Sequence, residues 1–226
     1  VVQKRDPHAL LHKTTLAGLH KLTPHFDWST YLATLPLTVK DLRFDPLKDL
    51  PPVISMVEGA YIFGSSAKYP WKTFNEFIAN AKANPGKLNY GSPGSGSVGH
   101  LVAALFVARA GIDMLHVPYK GDAQAIPALL SGEVQVAIMP PSAVVSHVKS
   151  GKLRALGVTK LARTPVLEGV PTMAETLPGF EYVGYLGLYA PAGTPQTVVA
   201  RIQRDVVTVL AMPDLQARLA AGGFEP

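Results

Sequence analysis

Short apolar strands alternate with helical segments from Leu88 to Thr159, and this alternation constrains the fold more than any other feature of the chain. Glycine or proline marks most of the turns between them. The run Val134–Met139 is almost continuously apolar, which is typical of a strand buried on both faces. The sequence therefore predicts an α/β fold of parallel strand–helix–strand units. We predict strands at 88–90, 114–119, 134–139, 153–159 and 181–190, and helices at 71–83, 98–110, 123–130, 142–149, 196–210 and 214–221.

The carboxyl ends of parallel strands meet at one edge of a sheet, and ligands of open α/β sheets bind there. Four segments follow the predicted strands and should lie together on this rim: Gly91–Ser97, Tyr119–Asp122, Met139–Ser142 and Thr159–Arg163. At the other end of the chain, Thr194 is predicted to cap the helix that begins with Pro195.

The Gly/Ser-rich turn between Tyr90 and Leu101 is the strongest sign of a binding site. The first N–H groups of a helix have no partner within the helix, and the helix dipole adds partial positive charge there. Glycine lets a ligand approach these groups closely, and Ser92, Ser95 and Ser97 add hydroxyl donors. The turn therefore predicts a site for an anion, either a carboxylate or a phosphate.

Composition limits the remaining classes of function. Of the 226 residues, 47% are hydrophobic and 16% are charged, as expected for a globular chain. The absence of cysteine excludes disulfides, thiolate metal sites and a cysteine nucleophile. The formal net charge is +5, but no basic cluster with interleaved aromatic residues indicates nucleic-acid binding. No run of 18 apolar residues predicts a membrane span, and no signal peptide opens the chain.

Several other chemistries compete for the glycine-rich turn. Gly94–Gly99 satisfies the dinucleotide pattern G-x-G-x-x-G, but no acidic residue closes the next strand to bind a ribose. No Lys-Ser/Thr pair follows the glycines, which excludes a P-loop. Ser97 and His100 could serve a hydrolase as nucleophile and base, although they lack the G-x-S-x-G context; His100 could equally cap or pack against the turn. The scattered histidines at 8, 12, 20 and 25 do not indicate a metal site.

Several motifs together resemble a known family. They are Asn84–Ser92, Gly94–Ser97, His116–Gly121, Gly151–Leu156, Val170–Glu175, Pro178–Phe180 and Ala190–Pro195, with Phe44–Leu50 before them. From about Arg43 to Pro226 the chain resembles the Bug-type (TctC-like) solute-binding proteins of tripartite tricarboxylate transporters. The resemblance implies a periplasmic-binding-protein fold of type II, with two α/β lobes, a ligand cleft and hinge strands. It implies a receptor that closes on a small organic acid, either a di- or tricarboxylate or an aromatic acid, without enzymatic activity, metal or cofactor.

The resemblance also assigns lobes and site residues. The first lobe would comprise residues 1–90 and 185–226, the second 91–184, with crossing segments near Asn89–Gly91 and Tyr185–Leu188. The turn and the N–H groups around Val98 would hold one carboxylate. The residues expected to bind or line the ligand are Ser92, Gly94, Ser95, Gly96, Ser97, Val98, His100, Tyr119, Lys120, Gly121, Met139, Pro140, Tyr185, Thr14 and Thr15.

Two departures from the family pattern qualify this assignment. The region Leu10–His25 replaces the family's Gly/Thr-rich loop, so the first lobe is expected to be shortened at its N-terminus. The strand Val134–Met139 leads into Pro140 rather than an acidic residue, which argues against an amino-acid ligand. The expected partners are an organic acid and the membrane components of a transporter, and the protein is expected to be a periplasmic monomer. A truncated or degenerate receptor that no longer binds a ligand is an alternative.

Overall fold

The computed structural model of the protein describes residues 46–224. It contains seven strands and seven α-helices in this range, with one 3₁₀ turn at Met173–Glu175. The strands are β1 (Pro52–Ala60), β2 (Ile62–Ser66), β3 (Leu88–Ser92), β4 (Met114–Pro118), β5 (Val136–Met139), β6 (Leu153–Val158) and β7 (Val183–Tyr189). The helices are α1 (Pro46–Asp49), α2 (Phe74–Ala83), α3 (Val98–Ala110), α4 (Asp122–Ser131), α5 (Pro141–Lys149), α6 (Gln196–Leu210) and α7 (Pro213–Ala221).

Five strands form the main sheet, in the order β4-β3-β5-β2-β6. β3 runs parallel to both β4 and β5, while β2 runs antiparallel to β5 and to β6. β3, β4, β5 and β6 therefore point in one direction, as the sequence predicted. β2, which was not among the predicted strands, enters between β5 and β6 from the opposite direction.

The two faces of this sheet carry different cores, because neighbouring residues of a strand point to opposite faces. On one face the ring of Phe63 lies 5.2 Å from Phe77 and 4.9 Å from Phe106 between centroids, so aromatic side chains join β2 to α2 and α3. On the other face Ile62 belongs to a mainly aliphatic cluster with residues of α4 and α5, including Leu129. The main sheet is thus the middle layer of three.

A second, two-stranded sheet pairs β1 with β7 in antiparallel register. β1 is separated from β2 of the main sheet only by Tyr61, so this segment passes from one sheet to the other. Asn89–Gly91, where one crossing segment is expected, lie within β3, between β4 and β5. Tyr185–Leu188, the other expected crossing segment, lies in β7.

The division of the chain into lobes stays a prediction. β2 and β3 belong to the same sheet although they precede and include the predicted boundary at residue 90. We therefore propose to move that boundary to Tyr61, where the chain enters the main sheet.

An apolar groove of about 400 Å³ lies between the two-stranded sheet and helices α6 and α7, with Val57, Leu186 and Val206 among its lining residues.

Helix termini follow local sequence signals in most places. α3 begins at Val98 with Ser97 as its N-cap and ends at Gly111, whose left-handed backbone closes the helix. The predicted cap at Thr194 is wrong, because Pro195 occupies the cap position of α6. The Thr194 hydroxyl donates to the carbonyl of Pro191 instead and so stabilises the preceding turn.

Candidate functional site

The carboxyl ends of β3, β4, β5 and β6 lie at one edge of the main sheet, as the sequence predicted. The glycine loop, which we define as residues 93–97, follows β3 at this edge and leads directly into α3. Helix α3 begins close to β5, since a Cβ atom on Gly99 would lie 2.7 Å from the carbonyl oxygen of Ile138. This contact explains why glycine stands at residue 99.

The backbone of the glycine loop is held by its own hydrogen bonds. The Ser97 N–H donates to the Gly94 carbonyl over 3.1 Å, and the Gly96 N–H donates to Nδ1 of His100 over 2.9 Å. Gly96 has a φ of +79°, a conformation that favours glycine. The Ser97 side chain accepts from the His100 N–H over 3.3 Å and caps α3. His100 therefore fixes the loop through both its backbone and its ring.

Two backbone N–H groups at the start of α3 have no hydrogen-bond partner among the described residues. Within residues 46–224, no hydrogen bond joins the N–H groups of Val98 or Gly99 to another residue. They are the first two N–H groups of a helix of 13 residues, where the helix dipole places partial positive charge. Val98 is 38% exposed, so the start of α3 lies near the surface. An anionic oxygen is the natural acceptor at this position.

A stack of three rings lies beneath the loop. His100 and His116 are nearly parallel, with centroids 3.8 Å apart and 8° between their planes, and Tyr90 lies 5.0 Å from His116 and 6.4 Å from His100. The stack follows from the register of β3 and β4, in which Tyr90 is directly paired with His116. Sequence analysis missed His116 as a site residue, because its role depends on this pairing between distant segments.

Burial keeps the ring stack uncharged. It lowers the pKa of His116 to about 4, with a smaller contribution from the charge of His100, and it lowers the pKa of His100 as well. The same effect raises the pKa of Tyr90 to about 12. A neutral His100 is required by its contact with the loop, because Nδ1 must be unprotonated to accept from Gly96.

Ser92 supports the loop from below. Its side chain is fully buried; its hydroxyl lies 2.7 Å from Nε2 of His116 and accepts from the Gly94 N–H over 3.2 Å. These contacts occupy the hydroxyl, so the predicted role of Ser92 as a direct ligand donor is not favoured in this conformation. Ser92 instead links the ring stack to the glycine loop.

The segment after β4 lies against the glycine loop. The Gly121 N–H donates to the carbonyl of Pro93 over 2.8 Å, and Gly121 has a φ of +91°. The Tyr119 ring turns back over Gly91, and its hydroxyl donates to Glu133 over 2.7 Å. Burial and this hydrogen bond raise the pKa of Tyr119 to about 12. The Tyr119 ring therefore packs against β3, and its hydroxyl is already hydrogen bonded.

The other predicted site residues occupy different settings. Lys120 is exposed, Pro140 is partly exposed at the start of α5, and Met139 is fully buried in the aliphatic core. Tyr185 lies on the two-stranded sheet, 60% exposed, with its hydroxyl 3.2 Å from that of Tyr189. Gly94 and Ser95 lie partly exposed in the glycine loop. Thr14 and Thr15 lie outside the described residues.

The geometry does not favour the competing chemistries. The ring of His100 accepts from Gly96 and is not hydrogen bonded to the Ser97 hydroxyl, as a nucleophile–base pair requires. β4 ends at Pro118 without an acidic residue for a ribose. In the part of the chain that the structure describes, no group of three side chains is arranged to hold a metal ion. Within residues 46–224, no helix combines the length and hydropathy that a membrane span requires.

Ser97→Ala is expected to lower the free energy of unfolding by about 1 kcal/mol, because it removes the N-cap of α3. Urea unfolding followed by tryptophan fluorescence measures this change. Ser142→Ala is the matched control, since Ser142 is exposed and lies inside the first turn of α5 rather than at its cap. Equal stabilities of the two variants would contradict the role assigned to Ser97.

Comparisons with known proteins agree with this architecture. The family model described as "Tripartite tricarboxylate transporter family receptor" (TctC) matches residues 26–226. A Pseudomonas sp. protein, "UPF0065 protein in tcbD-tcbE intergenic region", is 36% identical over 180 residues, which are 79% of this chain and 54% of that relative. The chain thus spans little more than half the length of this relative.

Two solved structures from Rhodopseudomonas palustris are also similar, each at 31% identity. One, solved with adipate, has a TM-score of 0.79 over 83% of this chain and 63% of its own. The other, MatC with bound malate, has a TM-score of 0.76 over 81% of this chain and 63% of its own.

These likenesses confirm the predicted fold and family. The fold is that of a periplasmic binding protein of type II, and the family consists of solute-binding receptors rather than enzymes. The chain belongs to the tripartite tricarboxylate transporter receptor family.

Proposed function

We propose that this protein captures a small organic carboxylate and delivers it, in the periplasm, to the membrane components of a tripartite tricarboxylate transporter. The observation that carries this proposal is the pair of unpartnered N–H groups of Val98 and Gly99 at the start of α3. They can donate to one carboxylate oxygen or share its two oxygens, and the neighbouring Ser97 hydroxyl retains a proton to donate.

The rigidity of the loop supports binding rather than chemistry. His100, Ser92 and Gly121 hold the loop backbone before any ligand arrives, so little conformational freedom is lost on binding. The two structural relatives solved with adipate and with malate show that this fold accommodates dicarboxylates. The strands that pass between the two sheets provide the hinge on which the lobes close over a ligand.

Calorimetric titration of the purified chain with succinate, malate, adipate and benzoate tests the proposal, with phosphate and NADP as controls. We expect saturable binding of at least one carboxylate, and an increase in melting temperature with the same compound. Binding of NADP alone, or of none of the carboxylates, would contradict the proposal.

Val98→Pro tests the proposed site directly. Proline removes the Val98 N–H but suits the first position of a helix, and Ser97 before it already has an extended backbone with a ψ of 160°. We expect α3 to persist and carboxylate affinity to fall about tenfold, the effect of losing one hydrogen bond to a charged group. Val98→Ala keeps the N–H and serves as the control. Equal affinities of the two variants would remove Val98 from the site.

A further inference from the structure

Asp122, the first residue of α4, has a carboxylate oxygen without a partner. Its Oδ1 is buried, and no hydrogen bond reaches it within the described residues. The described lysines and arginines form no ion pair with it either. Buried polar atoms in native proteins are nearly always hydrogen bonded, so an exception requires an explanation.

Asp122 lies on the rim beside the glycine loop. The preceding residue, Gly121, donates its N–H to Pro93 of that loop over 2.8 Å. Burial raises the pKa of Tyr61, and the negative charge of Asp122 adds to this effect, which places the two side chains within electrostatic range. Tyr61 stands immediately before β2, whose first residue Ile62 pairs with Met139 at the end of β5. Asp122 therefore lies on the rim, next to the residue that contacts Pro93 of the glycine loop and near Tyr61 at the start of β2.

The protein maintains this carboxylate against an energetic cost. A negative charge in the first turn of a helix is stabilised by the helix dipole, which by itself lowers a carboxyl pKa. Burial nevertheless raises the pKa of Asp122 above its ordinary value. The charged form is thus incompletely solvated by the described residues, and a hydrogen-bond donor on a ligand would relieve that cost.

We propose that Asp122 accepts a hydrogen bond from the ligand and makes the site selective for carboxylates that carry a neighbouring hydroxyl or ammonium group. This inference rests on the proposed function, because it places a second contact beside the anion site. Hydroxyl and ammonium groups share the property of donating to a carboxylate, and an ammonium adds charge attraction. In the sequence, the lack of an acidic residue directly after β5 argues against an amino-acid ligand. Asp122, which follows β4, nevertheless places an acidic residue on the same rim.

Three four-carbon dicarboxylates test the inference, since they differ in one substituent: succinate has no donor, malate has a hydroxyl and aspartate has an ammonium. We expect calorimetry at pH 7.5 to show malate or aspartate binding at least about tenfold more tightly than succinate. Asp122→Asn should reduce this preference to about threefold or less and leave succinate affinity within about threefold. If aspartate is the preferred ligand, it should lose more affinity than malate.

Asp113→Asn is the matched control, because Asp113 is an exposed acid just before β4, at the opposite edge of the sheet. It should leave the preference unchanged. Melting temperature and circular dichroism of Asp122→Asn establish that the variant is folded, and Asp122→Ser provides a second variant with a residue suited to a helix start. Equal binding of the three acids, or a preference that survives both variants, would overturn the inference while leaving the proposed function intact. Failure of all three acids and of adipate would instead reject the proposed function.

Discussion

Thr159→Val is expected to lower the free energy of unfolding by about 3 kcal/mol, although the two side chains have nearly the same shape. The Thr159 side chain is fully buried, and its hydroxyl makes two hydrogen bonds. It accepts from the Tyr61 N–H over 2.9 Å and donates to the Tyr182 carbonyl over 2.7 Å. Valine would leave both backbone groups without their partner, at about 1–3 kcal/mol each.

Losing the Thr159 hydrogen bonds should also affect ligand binding, because of where Thr159 lies. Its backbone also pairs with both neighbours: its N–H donates to Tyr61, and its carbonyl accepts from Tyr182 over 2.8 Å. Tyr61 connects β1 to β2, and Tyr182 directly precedes β7. Thr159 therefore joins the two chain segments that pass between the sheets, so the variant should alter the proposed hinge as well as stability.

Urea unfolding at pH 7.5 measures the change. Thr159→Ser is the control, because it keeps the hydroxyl and removes only a methyl group, at a cost of about 1 kcal/mol. Similar stabilities for the valine variant and the wild-type protein would show that water or another group satisfies Tyr61 and Tyr182 without this hydroxyl.

Local sequence signals were sufficient for many elements of the fold. α3 was predicted from Val98 to Ala110 because a Gly/Ser-rich turn and the apolar run after it are consecutive in the sequence; the structure adds Ser97 as its N-cap and Gly111 at its end. The direction of β2 and its insertion between β5 and β6 cannot be predicted from a local sequence pattern. They depend on pairing with residues about 70 to 100 positions away, such as Ile62 with Met139 and with Val158.

In the candidate site, too, features carried by consecutive residues were predicted and features that depend on long-range packing were not. The glycine loop was predicted because its anion-binding chemistry resides in consecutive residues. His116 was missed because only the register with Tyr90 places it beneath the loop. Asp122 was predicted to lie on the rim. Its Oδ1 atom lacks a hydrogen-bond partner, and only the structure shows this. Met139, predicted from its position at a strand end, points into the core instead.

Stability should fall by about 2 kcal/mol between pH 7 and pH 5, because the stacked histidines resist protonation in the folded protein. Burial, followed by the effect of His100, lowers the pKa of His116 to about 4, whereas an unfolded histidine titrates near 6.5. Between these values the unfolded chain binds more protons, so stability declines as the pH falls through this window. The full shift corresponds to about 3 kcal/mol for His116 alone, but solvent screening of this partly exposed residue reduces this figure.

Reversible urea unfolding at pH 7.0, 6.0 and 5.0 measures this dependence, in a range where most carboxylates stay ionised. The control is the double variant His100→Asn, His116→Gln, whose amide groups can replace Nδ1 of His100 toward Gly96 and Nε2 of His116 toward Ser92 without titrating. Its stability should change by less than about half as much over the same range. If the wild-type protein and the double variant lose stability equally, the decline arises elsewhere and the histidine stack is not its source. If only the wild-type protein also loses carboxylate affinity at pH 5, protonation of His100 has released the Gly96 N–H and with it the geometry of the glycine loop.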